Sequence, residues 1–133
     1  MSDWYDATEI AAMNARTALL NNGFLAIYTG AEPALNAALT GTLLATLPLS
    51  ATAFPAAVAA GGTVTATANP ITSANAGNSG NAGYFALLKS DGTTVVITGT
   101  AGLGGTDMTM PVTAIIAGSP VSVASLVITQ AQT

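Results

Sequence analysis

The 133-residue sequence is poor in charge, aromatics, histidine and cysteine, and each shortage removes a class of function. Charged residues make up 6% of the chain, against roughly 25% in an ordinary soluble domain. The surface must therefore be built largely from Thr, Ser, Asn, Gly and Ala. Such a surface suits a broad protein contact, because burying a hydroxyl costs far less desolvation than burying an ammonium group. The absence of histidine removes Ser-His-Asp and Cys-His catalysis and most transition-metal sites. The absence of cysteine removes disulfides, thiolate nucleophiles and thiolate metal ligands. With two cations, Arg16 and Lys89, the chain cannot neutralise a run of phosphates, so no nucleic-acid partner is expected.

Other absences concern membranes. The polar, acidic start lacks the basic residues and apolar run of a secretory signal. The longest fairly apolar stretch, 43–60, is broken by Pro48 and Pro55, and a spanning helix needs about 20 apolar residues. No membrane partner is expected.

Half of the chain is apolar, and its length suits a single core. The net charge of −4 is unevenly placed: Asp3, Asp6 and Glu9 supply three of the six acids. Asp6, with Glu9 three residues on, reads as a capping box opening a helix over 7–21, closed by Gly23. Ile10, Met13, Thr17 and Leu20 recur on one face. That narrow stripe fits either the chain's own sheet or a neighbouring subunit.

Past Gly23 the period changes from helical to alternating. Strands are expected over 24–29, 43–49, 63–68, 84–89, 93–98, 108–112, 113–116 and 121–129. Thr63 to Ala68 alternates polar and apolar residues, and Ser90-Asp91-Gly92 is a hairpin signal. The stretch 73–83, SANAGNSGNAG, reads as a surface loop, and 99–106 as a glycine-rich turn. One helix followed by short strands predicts a mainly β fold, an antiparallel β-sandwich or jelly-roll-like domain with one N-terminal α-helix.

Searching for chemistry yields little. Asp91 and Asp107 are the only paired-carboxylate candidates in the body, and each has a structural role in a turn that suffices for it. Glycines 99, 102, 104 and 105 lack the following Lys or helix of a phosphate-binding loop. A single carboxylate at Asp107 is weak support for calcium. The expectation is a non-enzymatic chain with no cofactor and no metal. Trp4 and Tyr5 stand outside any strand, in an acidic segment with little of its own to bury them, as interface anchors do. Residues 1–22 are accordingly read as an attachment arm with Trp4, Tyr5, Ile10, Met13 and Leu20 as its interface. Residues 23–133 are read as the β domain.

The body from Asn22-Gly23 to Thr129 resembles a group of small virion structural proteins of tailed bacteriophages and prophages. The residues that carry the likeness are Phe24-Leu25-Ala26-Ile27-Tyr28-Thr29-Gly30 with Pro33, then Gly41-Thr42-Leu43-Leu44-Ala45-Thr46-Leu47 and Ala53-Phe54. Gly83-Tyr84-Phe85, Ser90-Asp91-Gly92-Thr93, Gly104-Gly105-Thr106-Asp107, Ala117-Gly118 and Val121-Ser122-Val123 follow in order. These motifs punctuate structure and carry no catalysis. The resemblance implies a capsid decoration (cement) or head-fibre subunit, made in the bacterial cytoplasm and carried on the virion surface. Its implied partners are the major capsid protein or other virion subunits, with trimers of its own chain at quasi-threefold positions. Tail, baseplate and fibre-base proteins are the alternative it leaves open. From another class, a carbohydrate-binding β-sandwich using exposed tyrosines is the remaining candidate.

Overall fold

A computed structural model describes residues 4–131; Asp3, part of the acidic start, lies outside them. The helix α1 spans Asp6–Ala18. The expected capping box does not form. Tyr5 occupies the N-cap without a side-chain bond, and its carbonyl accepts the N–H groups of Thr8 and Glu9 at 3.0 Å each. Asp6 and Glu9 instead sit in the first turn, where the helix dipole favours acids. The left-handed residue that ends the turn is Asn22, at φ 59°, rather than Gly23. Gly23 answers a different constraint: a Cβ there would lie 2.2 Å from the Leu88 carbonyl oxygen.

Eleven strands follow among the described residues. They are β1 (Phe24–Thr29), β2 (Leu43–Pro48), β3 (Val58–Ala60), β4 (Thr63–Thr67), β5 (Ala74–Asn75) and β6 (Gly80–Leu88). Then come β7 (Val95–Gly102), β8 (Met108–Thr109), β9 (Ala114–Ile115), β10 (Pro120–Val121) and β11 (Ser125–Ala131). The fold is mainly β with one N-terminal helix, as expected. The main sheet runs β2-β1-β6-β7-β8-β11-β4-β3, with β9 paired to the start of β6, while β5 and β10 form a separate ribbon. All pairs are antiparallel except β7 with β8.

Two leaves result, β2-β1-β6-β7 and β11-β4-β3, with the two-residue β8 as the join. Leu25, Ile27, Leu47, Phe85 and Leu87 from the first share one core with Val64, Ala66 and Leu126 from the second. The β4 strand alternates as its sequence predicts, with Val64 and Ala66 buried and Thr63, Thr65 and Thr67 outward. By contrast, β1 and β6 read as unbroken apolar runs because both of their faces are covered. On the outer face Ala26, Ala86 and Leu88 form a second cluster with Phe24, Tyr28 and Leu39. The segment 30–42 is the cover: Tyr84 lies beneath it, fully buried, with its hydroxyl bonded to the Thr40 backbone. Tyr84 is therefore not one of the exposed tyrosines that the carbohydrate-binding candidate needs.

The helix belongs to this core. Met13 and Leu20 are almost fully buried within it, Ile10 packs against it, and α1 lies on β3 and β4. Two asparagines tie it to the 53–57 segment: Asn14 Oδ1 accepts the Ala57 N–H at 2.8 Å and Asn21 Oδ1 accepts the Ala53 N–H at 3.0 Å. The separate arm expected over 1–22 is corrected on this ground, because its apolar stripe is covered by the chain itself.

Three stretches differ from their expected form. The 73–83 loop contains β5 and the start of β6, and the 99–106 turn begins only after β7 has run on to Gly102. The last strand is broken into β10 and β11. β3 was not expected; it pairs with β4 across Gly61-Gly62, both at positive φ (58° and 80°), as a two-residue turn of this hairpin type requires.

Candidate protein-interaction surface

Trp4 and Tyr5 precede the helix and remain largely uncovered, at 60% and 82% exposure. Of the five residues expected to face a partner, these two are available. Met13 and Leu20 are spent in the chain's own core, and Ile10 is half-buried against it.

The structure adds apolar surface that the sequence pattern did not single out. Leu35 projects from the 30–42 segment at 92% exposure, next to the positive-φ Asn36. It flanks a groove of about 350 Å³ with Leu39, Val95 and Val96. Val96 and Ile97 also line an adjoining groove of about 410 Å³ that runs to Leu19, Met13 and Arg16 on the helix. Elsewhere, exposed Val112 and Ile116 border a smaller hollow with Pro111 and Pro120. The warning available in the sequence was Ala34-Leu35-Asn36, an apolar residue in a turn-like segment with nothing periodic to bury it.

The carboxylates are engaged in holding turns. Asp91 Oδ1 accepts the N–H groups of Thr93 and Thr94 at 2.9 Å each, and Oδ2 accepts the Thr94 hydroxyl at 2.5 Å. The Thr94 hydroxyl bond, followed by the two backbone bonds, lowers its pKa to about 2. Asp107 Oδ2 accepts the Thr100 N–H at 3.1 Å, and the Asp107 N–H donates to Thr100 Oγ1 at 3.2 Å. Asp107 fixes its loop in the expected way. These two acids stand beside opposite ends of β7, about 17 Å apart along the strand, so they do not form an acid–base pair. Glu32 accepts the Thr98 hydroxyl at 2.7 Å and tethers the 30–42 segment to β7. The arrangement offers apolar knobs and grooves with few charges between them. Among the described residues no group of three potential metal ligands occurs, and no helix is long and apolar enough to cross a membrane.

No protein-family model, curated protein or solved structure matches this chain.

Proposed function

We propose that this chain is a non-enzymatic virion structural protein, a capsid decoration subunit bound to the outside of a tailed-phage head. The observation that carries the reading is the make-up of its surface. Apolar side chains project at Trp4, Tyr5, Leu35, Val58, Leu103, Val112 and Ile116, on a body whose charge is nearly nil. Isolated apolar side chains are ordinary on a protein surface, but a groove flanked by Leu35, Leu39 and Val95 is a contact surface in waiting. Contacts of this kind rest on buried apolar area and neutral hydrogen bonds, which suit a permanent assembly better than a transient encounter. The resemblance carried by the β1, β2 and β6 motifs supplies the virion context.

A tail, baseplate or fibre-base position would use the same surface. Electron microscopy of particles made with and without the gene separates the two, since density lost from the head supports decoration and density lost from the tail overturns it. The carbohydrate-binding alternative must rest on Trp4 and Tyr5, because Tyr84 is buried and Tyr28 is half-buried in a stack against it. Binding on a glycan array, abolished by replacing those two residues, would favour it instead.

A further inference from the structure

The join between the two leaves is incomplete. β8 lies between β7 and β11, one strand spacing from each, so the two are separated there by a gap one strand wide, about 10 Å. β8 fills that gap only beside Ala101–Gly102 and Ser125–Leu126. Just past it Asp107 bridges both edges, its carboxylate on the Thr100 N–H and its carbonyl on the Val127 N–H at 3.1 Å. Further along, among the described residues, no strand stands between β7 and β11. Two hollows follow each other there, about 170 Å³ between Ile97, Thr98 and Val127–Thr129, then about 410 Å³ between Val96, Gln130 and the helix.

Both edges of this slot offer free backbone groups. N–H and C=O alternate sides along an antiparallel strand. Since Thr100 and Val127 point theirs into the slot, Thr98 and Thr129 do so as well, and neither has a backbone partner on that side among the described residues. The floor is apolar, with Ile97 and Ile128 left half-buried. Facing strand edges over an apolar floor are a template for one extended segment.

We propose that the occupant is residues 1–5 of a second copy of this chain. Tyr5 already has extended backbone (φ −70°, ψ 154°), and Trp4 and Tyr5 are largely uncovered by their own chain. The segment carries Asp3, and the slot mouth carries Arg16, whose guanidinium donates to the neutral Gln130 side chain. Trp4 and Tyr5 do not enter the slot of their own chain, where both stand exposed. Trp4 lies within about 7 Å of the helix start, whereas Thr17 and Leu20, at the slot, stand about 16 Å or more down the helix. The exchange is head-to-tail, and three copies close it into a ring when the rotation allows. It stands independently of the virion reading.

The test compares sedimentation equilibrium of the full chain, a chain lacking residues 1–5, and Thr98→Pro, each checked by circular dichroism. Proline at 98 removes the slot-facing N–H, a position where edge strands tolerate it, and with it the hydroxyl bond to Glu32. Thr98→Val, which loses the hydroxyl alone, is therefore the control and should associate like the full chain. The full chain is expected to self-associate, and the truncated chain and Thr98→Pro to do so at least tenfold more weakly with unchanged β content. A synthetic peptide of residues 1–5 in excess should dissociate the full-chain oligomer. If Thr98→Pro fails to fold, the truncated chain, which removes no core residue among the described ones, and the peptide decide alone. A monomeric full chain, or undiminished association after truncation, overturns the proposal. Loss of association in Thr98→Pro alone means that the slot takes some other strand, which overturns it equally.

Discussion

The Tyr84 hydroxyl donates to the Thr40 carbonyl at 2.5 Å and accepts the N–H of the same residue at 3.0 Å. One phenol thus fastens the 30–42 segment over the outer face of β1 and β6. Beneath it the Tyr84 ring stacks on Tyr28, with centroids 5.2 Å apart and planes 8° from parallel. Burial, and then the neighbouring Tyr84, raises the Tyr28 pKa. Tyr84→Phe keeps the ring and removes both bonds, leaving two backbone groups to be served by water or by nothing. We expect a loss of about 1–2 kcal/mol in urea unfolding. Amides of 30–42 should exchange hydrogen faster, while those of β4 and β11 stay unchanged.

The helix is expected to be inseparable from the sheet. Met13→Ala or Leu20→Ala should each cost about 2–5 kcal/mol, since each empties a filled position in the shared core. Removing residues 1–22 should unfold the chain, which circular dichroism melting will report. A cooperative melt of the truncated protein near that of the intact one would contradict this packing.

These two regions also show how far the sequence was legible. The alternation of Thr63 to Thr67 and the Asp91-Gly92 turn were readable because each depends on residues close in the chain. The helix itself was equally readable, but what covers Met13 and Leu20 is a core assembled from strands far along the chain. Tyr84 beside Phe85 signalled that one ring faces outward, yet its burial depends on a segment pinned at Thr40. β3 escaped notice because Val58-Ala59-Ala60 is too short for a period, and its Gly61-Gly62 turn was its best signature. Of the surface, Trp4 and Tyr5 were legible as apolar residues with nothing local to cover them. Leu35 had the same quality on a smaller scale.

Acid should loosen the β6–β7 turn. The Asp91 pKa is depressed in the folded chain, so its contribution is present above the unfolded value near 4 and is lost as pH falls through about 2. Amide shifts of Thr93 and Thr94 should titrate with a midpoint near 2, ahead of any change in β1 or β4. A midpoint at the ordinary aspartate value would show that the three bonds do not persist in solution. Asp91→Ala should remove the titration altogether.

If the proposed function holds, attachment to other virion subunits should depend little on salt. Exposed ion pairs contribute about 0–1 kcal/mol each and are screened, and this chain brings few of them. Bound protein should remain on particles as NaCl is raised to molar levels. Release by a modest rise in salt would contradict the argument from surface composition.

The most direct measurement is add-back. Purified full-length chain is mixed with phage heads assembled without it, the heads are sedimented, and bound protein is counted per head. The account predicts binding that saturates at a fixed number of copies set by the capsid lattice, with new density on the outer surface of the head in electron micrographs. Protein that stays in the supernatant at every concentration, or that binds without saturating, would contradict it.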